Sequence, residues 1–185
     1  PGAGTLTARV TNPADNEVRI AAVSVSVTER NRDAEPNNTT DRAVPVTLSP
    51  GVEGDVSSDS DSADMYRLDF FVPGDLTATL TASVPEAEGK LSLLNEAGSE
   101  LATVSLGSGE AEVTAAVGAG RVLVVVSSDT GATDYTLRFR FRAATPVITA
   151  IVPASGQTGD VVTIEGAGFD ARPEGNAVQF NDVLT

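Results

Sequence analysis

Oxygen-bearing side chains crowd one short polar segment of the chain, and their spacing suits the binding of a cation. Asp33, Glu35 and Asn37 occupy alternate positions, and Asn38 follows directly. Pro36 favours extended backbone at the residue before it, and alternate side chains of an extended chain project to the same side. The pattern therefore predicts that three oxygen donors converge, with a fourth available from the adjoining turn.

A second acidic segment completes a candidate metal site. Asp61 and Asp64 stand in the loop that leads into a predicted strand. Calcium takes six to eight oxygens from carboxylates, amides, backbone carbonyls and water. If the two segments meet in space, they could hold one calcium ion, or two that share ligands, with the candidate ligands Asp33, Glu35, Asn37, Asn38, Asp61 and Asp64. A plain pair of solvated acidic stretches is the simpler interpretation, and the residues alone leave it open.

The residue types that are missing exclude several classes of chemistry. The 185 residues include no Cys and no His. A thiolate zinc site, a disulfide, a Ser-His-Asp triad and a His-based metalloprotease site are therefore impossible. Paired carboxylates could serve a glycosidase-like reaction, but no sequence pattern places two of them in a cleft. We expect no enzymatic activity.

The charge balance narrows the range of partners. Twenty-six acidic residues against 12 basic ones give a net charge of −14. Such a surface repels nucleic acid and anionic membranes and attracts cations, although much of the acidity can equally serve solubility. The longest apolar run, Val122 to Val126, is far shorter than the ~20 residues of a membrane helix. We expect neither nucleic-acid binding nor membrane insertion.

Nearly every segment has the alternating pattern of a β-strand. Residues 76–84 place Leu and Ala at alternate positions with Thr between them, and residues 135–142 repeat the alternation with aromatic residues and Arg. Residues 23–27, 66–70, 111–117 and 121–127 are also predicted to be extended. Gly-containing turns separate these segments, and no helical period is sustained. Many short strands at this spacing predict an antiparallel sandwich or barrel.

The two tyrosines and a row of arginines each have a structural and a functional interpretation. Tyr66 and Tyr135 could contact a partner, but each is in phase with Leu or Phe, so core packing is favoured. Arg138, Arg140 and Arg142 form a basic row on one face of their strand. Cross-strand pairing with acidic neighbours or protection of a sheet edge is the simpler explanation. Docking of an acidic partner domain is the alternative.

Composition divides the chain into three parts. A polar, charged stretch from Glu29 to Asp41 and the sequence Ala143-Ala144-Thr145-Pro146 mark the boundaries. We therefore predict a first part at residues 1–28, a sandwich with its N-terminal linker at 29–145, and a last part at 146–185. The first and last parts are each too short to bury a core alone.

The middle part resembles the bacterial pre-peptidase C-terminal domain, a family that includes the collagen-binding modules of clostridial collagenases. The resemblance covers about residues 33–141 and depends on the order and spacing of Asp33-Ala-Glu-Pro-Asn-Asn38, Gly51, Gly54, Asp61-Ser-Ala-Asp-Met-Tyr-Arg-Leu68, Leu91-Ser-Leu-Leu94, Ala97-Gly98, Gly118-Ala-Gly120, Gly131 and Asp134-Tyr-Thr-Leu137. It implies a jelly-roll-like sandwich with calcium ligands at Asp33, Glu35, Asn37, Asp61 and Asp64. Asn38 stands where the family can have an acidic residue.

The two ends resemble pieces of IPT/TIG immunoglobulin-like domains. Pro146 to Phe169, followed by Asn176 to Asn181, is similar to the opening strands of such a domain, and residues 1–28 are similar to its closing strands. The predicted fold class is thus all-β: an antiparallel β-sandwich with immunoglobulin-like pieces at both ends. Each piece exposes strand edges that seek partners, which predicts pairing with neighbouring domains or with copies of the same chain.

These observations favour a non-catalytic extracellular module. The first hypothesis is a calcium-stabilised structural or adhesive module of a repetitive bacterial surface protein or filament. The alternative is an accessory substrate-binding domain of a secreted hydrolase or protease, with an extracellular protein or polysaccharide as its partner. The chain has no Trp and only 4% aromatic residues, so a sugar-stacking platform is poorly supported.

Overall fold

The regular structure is almost entirely β-strand. The computed structural model describes residues 5–11, 18–24, 31, 33–107, 109–157 and 159–178. These residues also include two single-turn 3-10 helices, Thr40–Arg42 and Pro173–Gly175. The strands are, in order, β1 (Thr5–Thr11), β2 (Val18–Ser24), β3 (Val44–Pro45), β4 (Val52–Ser57), β5 (Ala63–Phe70), β6 (Gly74–Ala82), β7 (Glu88–Asn95), β8 (Glu100–Leu106), β9 (Glu110–Val117), β10 (Gly120–Thr130), β11 (Ala132–Ala143), β12 (Val147–Val152) and β13 (Thr163–Ala167). No helix of this part of the chain is long and apolar enough to span a membrane.

The first 30 residues form a compact unit of their own. In it, β1 and β2 pair antiparallel, from Thr5 opposite Ser24 to Thr11 opposite Val18. The predicted strand at residues 23–27 overlaps the end of β2, and Val25 and Val27 lie outside the described residues. The similarity of this part to closing immunoglobulin-like strands remains a prediction.

Two sheets make up the main body of the second unit, which spans residues 31–185. One sheet has five strands in the order β3-β5-β10-β7-β8, and the other has four in the order β4-β11-β6-β9. All neighbours run antiparallel except β3, whose two residues pair parallel to β5. The prediction of an all-β antiparallel sandwich is confirmed.

Alternation along the strands produces the core between these sheets. In β9 every second residue is buried, and in β6 Leu76, Ala78 and Leu80 are completely inaccessible. Of the two Thr residues between them, Thr79 is partly exposed, whereas Thr77 is buried and bonds to Thr114 through its hydroxyl. Burying one face of each strand at roughly 25 cal/mol per Å² of apolar surface drives the two sheets together. The largest fully buried apolar side chains are Tyr66, Leu76, Leu80, Leu91, Leu93, Leu123 and Leu137.

The basic row of β11 is exposed and does not pair as expected. Its register partners on β6 are Thr79, Thr77 and Asp75, so only one of three is acidic. No ion pair among the described residues involves Arg138, Arg140 or Arg142. The register places hydroxyl side chains opposite Arg138 and Arg140, and the acidic Asp75 opposite Arg142. Protection of a sheet edge, the other half of the simpler explanation, is consistent with the end of β4 pairing at Leu137.

A turn in the last part of the chain contacts the sandwich. Strands β12 and β13 form an antiparallel pair after the sandwich. The Ala171 amide donates a hydrogen bond of 2.7 Å to the carbonyl of Phe71. The guanidinium of Arg172 lies 3.9 Å from the centre of the Phe71 ring, within the range of a cation–π interaction.

Candidate metal centre

The two acidic segments meet at one end of the sandwich. Asp33 precedes β3, and Asp64 is the second residue of β5, in the five-stranded sheet. Opposite them, β4 and β11 of the other sheet contribute Gly54 and Tyr135, which are register partners. The predicted polar linker is thus held against the sandwich, and the Met65 amide donates a 3.1 Å hydrogen bond to the Asn37 carbonyl.

Three carboxylates form the centre of this cluster. One oxygen from each of Asp33, Glu35 and Asp64 lies within 4.8 Å of the others. Asp64 is completely buried, Asp33 is partly buried and Glu35 is exposed. Burial, reinforced by the neighbouring carboxylates, raises the pKa of Asp64 to about 8. Partial loss of water around the carboxyl group also raises the pKa of Asp33 and of the largely exposed Glu35, and for Glu35 the neighbouring charges of Asp61 and Asp33 add to the effect.

Asn37 lies among these carboxylates with its side chain fully buried. Its Nδ2 donates to Asp33 Oδ1 at 2.7 Å, and its backbone amide donates to Glu35 Oε2 at 3.2 Å. Its Oδ1 is buried without a hydrogen-bond partner, and so is Oδ1 of Asp64. Buried polar atoms are nearly always paired, so two orphaned oxygens beside three carboxylates fit a bound cation that both oxygens could ligate.

Two tyrosines join the cluster from the core side. Tyr66 Oη donates to Asp33 Oδ1 at 2.9 Å, and Tyr135 Oη donates to Asp64 Oδ2 at 2.5 Å. The two hydroxyl oxygens are themselves 2.5 Å apart. The two hydroxyl groups therefore supply two protons for three close oxygen–oxygen contacts. When Asp33 and Asp64 are both ionised, one of the three contacts has no proton and is not a hydrogen bond. Burial raises the pKa of both tyrosines, so they remain neutral donors.

A glycine makes room for this chain of hydroxyls and carboxylates. A Cβ at Gly54 would lie 2.6 Å from Tyr135 Oη and 2.8 Å from Asp33 Oδ2. Real Cβ atoms do not approach oxygen so closely, so any larger residue would displace one of the two. The Asp55 backbone amide next to it also donates to Asp33, which partly offsets the burial of that carboxylate.

The remaining two predicted ligands lie beside the central three. Asn38 Nδ2 donates a short hydrogen bond to Asp61 Oδ1. Asp61 is close enough to act on the charge of Glu35 and Asp64, although it is not one of the three clustered carboxylates. The structure therefore brings all six predicted residues to one end of the sandwich, and their role as ligands remains a prediction.

The sequence interpretation missed the polar role of the two tyrosines. Both were predicted to pack in the core, and their rings are indeed buried, with 0% and 3% of the surface of Tyr66 and Tyr135 accessible. Their hydroxyl groups, however, point to the acidic cluster. A buried Tyr generally needs a partner for its hydroxyl, and the proximity of Tyr66 to Asp64 in the sequence was the available signal.

The fold and the site define a β-sandwich module with an acidic cluster at one end. Residues 146–185 match the family model of the IPT/TIG domain. The predicted resemblance of the last part to such a domain is thereby confirmed. No curated protein matches the chain.

Solved structures also resemble the sandwich. The pre-peptidase C-terminal domain of a collagenase from Bacillus anthracis shares 15% identity over 58% of this chain and 99% of that chain, with a TM-score of 0.48. The carbohydrate-binding module CBM36, in complex with calcium and xylotriose, shares 13% identity over 51% of this chain and 92% of that chain, with a TM-score of 0.30. Likeness at this level concerns the arrangement of strands alone.

Proposed function

We propose that this chain is a non-catalytic extracellular module, part of a bacterial surface or secreted protein, whose sandwich is stabilised by calcium. Asp33, Glu35, Asn37 and Asp64 would supply the central ligands, and Asn38 and Asp61 would lie at the periphery of the site. The ion would join the segment before β3 to the start of β5. That link would fix the direction in which the preceding part of the chain enters the sandwich, which suits a structural or adhesive role.

The observation that carries this proposal is the pair of orphaned buried oxygens. Asn37 Oδ1 and Asp64 Oδ1 have no hydrogen donor in a place where each is fully removed from water. Uncompensated burial of such groups costs about 1–3 kcal/mol each. The donor set consists of oxygen alone, with carboxylates and an amide, which is the preference of calcium rather than of a transition metal.

A second candidate function is that of an accessory domain that holds a larger extracellular protein on its substrate. The observation in its favour is the outer face of the four-stranded sheet, where exposed arginines on β11 lie beside threonines on β6 and β9. The two functions are compatible, because the candidate metal centre lies among the inward-facing ends of the strands while this surface faces outward.

Thermal unfolding with calcium and with chelator tests the metal proposal. A ligand at ~100 times its dissociation constant adds about 2.7 kcal/mol to the free energy of unfolding, so calcium at about 10 mM should raise Tm by several degrees even if binding is in the weak range of extracellular modules. Asp64→Asn should abolish this rise. Asp59→Asn, which removes an exposed carboxylate from the same loop, should retain it. An unchanged Tm in wild type, or equal loss in both variants, contradicts the proposal.

A further inference from the structure

The outer face of the four-stranded sheet carries a concentrated row of positive charge. Arg138, Arg140 and Arg142 are all exposed on β11, and alternate residues of a strand lie about 7 Å apart. Three guanidinium groups thus originate from backbone positions within about 14 Å, on one line, in a chain of net charge −14. As described above, none of them forms an ion pair with a described residue.

The row lies where the sheet is open on one side. Pairing between β4 and β11 ends at Val52 opposite Leu137, whereas β6 continues to pair as far as Ala143. Beside the row is a depression of about 510 Å³ lined by Asp75, Thr77, Thr114, Arg140, Phe141 and Arg142. A second depression of about 480 Å³ shares Asp75 and Arg142 and continues to Thr145. We call these two adjoining depressions the trough. Arg140 and Arg142 line it, and Arg138 lies two residues further along the same exposed row, outside both depressions.

We propose that this trough binds an acidic polysaccharide through the carboxylates of its uronic acid residues. The inference rests on the substrate-binding role proposed above and specifies its ligand and its surface. Planar guanidinium groups pair with carboxylates through two parallel hydrogen bonds, and a polyuronate presents such groups in a line. Local contact is compatible with the negative net charge, because fields beyond about 8 Å are screened at physiological ionic strength.

The side chains next to the arginine row can form hydrogen bonds with the hydroxyl groups of a sugar polymer. Thr77 and Thr114 bond to each other through their hydroxyls at 2.9 Å, and Thr79 donates to Glu112 at 3.2 Å. Thr77 is buried and supports Thr114. The exposed Thr114 and Asp75 side chains, with the partly exposed Thr79, offer donors and acceptors to sugar hydroxyls. The trough has more basic than acidic groups, so charge favours an anionic polymer over a neutral one.

The geometry disfavours other occupants of this surface. A neutral polysaccharide generally stacks on exposed aromatic rings. The aromatic ring that lines the trough, Phe141, is only partly exposed and packs against Phe70 with 4.4 Å between ring centres. A broad acidic protein surface would set its carboxylates against Asp75 and Glu112 on the neighbouring strands. A single polymer chain is narrow enough to follow β11 and avoid most of that repulsion.

Binding of hexagalacturonate to the full chain, measured by isothermal titration calorimetry, tests the inference. The fully methyl-esterified hexamer is the matched ligand control, because it keeps the backbone and loses the charge. We expect binding of the acid form, weakening as salt rises, and no binding of the ester. The triple change Arg138→Gln, Arg140→Gln, Arg142→Gln should weaken binding by more than about tenfold, since each charge-assisted contact is strong.

A second triple variant controls for net charge. Arg42→Gln, Lys90→Gln, Arg121→Gln removes the same three charges from elsewhere and should bind within about twofold of wild type, because distant charges are screened. Equal weakening by both triples, or no binding of the acid form by folded wild type, overturns the inference. Equal binding of the ester would also overturn it but leave the accessory role in place.

Sedimentation velocity tests whether a second copy of the chain, rather than a polysaccharide, occupies the trough. Any self-association of wild type, such as the pairing of terminal strands predicted from the sequence, should be unchanged in the β11 triple variant. Self-association of wild type that the β11 triple variant abolishes would identify a second copy as the occupant and overturn the polysaccharide inference. The rise in melting temperature on addition of calcium should be the same in wild type and both triple variants, although Arg121→Gln itself removes ion pairs to Asp69 and Glu96. Failure at this surface and failure at the metal centre therefore remain distinguishable.

Discussion

At the scale of single residues, Asp64 is both the most buried carboxylate of the candidate metal centre and one of its proposed ligands. It is fully buried, close to two other carboxylates, and bonded through one oxygen to Tyr135 while the other has no partner. Without a cation, this arrangement favours the protonated acid. With a cation, the same arrangement becomes a ready set of ligands, because the positive charge replaces the missing proton.

The stability of the metal-free chain should therefore depend on pH through this residue. The pKa of Asp64 in the fold, about 8, lies above its usual value, so the fold favours the protonated form. Its contribution to stability is fully present below the unfolded-state pKa near 4 and is lost as pH rises through about 8. We expect the metal-free chain to melt at a higher temperature at about pH 5 than at about pH 9.

Scanning calorimetry of the calcium-free chain across this range checks the pH prediction. Asp64→Asn is the control, since it should flatten much of the slope while leaving the other carboxylates in place. Addition of calcium should reduce the loss at high pH, because the ion stabilises the ionised form. A melting temperature of the metal-free chain that rises from acid to alkaline pH would show the prediction to be wrong.

At the scale of elements, the candidate site depends on the way that strands from both sheets come together. Strand β5 supplies Tyr66 and Asp64 from the five-stranded sheet, and β11 supplies Tyr135 from the other. The contact between the two hydroxyls is thus a polar connection across an otherwise apolar core. Gly54 on β4 leaves the space that this connection needs.

Removal of one hydroxyl should weaken both the sandwich and its response to calcium. Tyr135→Phe keeps the ring and leaves Asp64 Oδ2 without its donor, so we expect a loss of about 1–3 kcal/mol in the free energy of unfolding in chelator. The stabilisation by calcium should also shrink, because Asp64 is no longer held in place. Urea unfolding with and without calcium measures both effects.

The neighbouring Thr136 provides the comparison for that experiment. Thr136→Val removes a hydroxyl from the outward side of the same strand and should change stability by no more than about 0.5 kcal/mol, as for most surface substitutions. A Tyr135→Phe variant as stable and as responsive to calcium as wild type would mean that the hydroxyl connection contributes nothing.

At the scale of the second unit, one turn links the last part of the chain to the sandwich. Ala171 and Arg172 contact the backbone and ring of Phe71, and Asp170 holds Arg172 through an ion pair of 3.0 Å. Gly168, near this turn, has a φ of 81° and would bring a Cβ to within 3.1 Å of Pro146. The turn therefore depends on a residue that accepts left-handed backbone.

Loss of the cation–π contact should loosen this turn without affecting the core. Cation–π contacts at exposed sites contribute about 0.5–1 kcal/mol, so Arg172→Ala should speed hydrogen exchange of the Ala171 amide by a few fold. Amides of β10, in the middle of its sheet, should exchange as in wild type. Arg42→Ala is the control. Unchanged exchange at Ala171 would show that the backbone bond alone holds the turn.

The all-β character and most of the strands follow from the amino-acid sequence. Period-two alternation in residues 76–84 and 111–117 corresponds to β6 and β9, because a strand at the surface of a core must bury one face and expose the other. The absence of His and Cys likewise limits the available ligands to oxygen, whatever the fold. The six candidate ligands could be chosen from residue type and local spacing.

Which of these residues meet, and which other side chains join them, depends on the packing of the two sheets and could not be predicted from local patterns. Asp33 and Asp64 are separated by 30 intervening residues, and their proximity follows from the packing of the segment before β3 against β5. The hydroxyls of Tyr66 and Tyr135 reach the cluster because two different sheets face each other there. The position of the β11 arginines opposite threonines likewise follows from strand order and register. Alternation along one strand predicts which face a residue occupies, but it does not predict which residue lies beside it on the next strand.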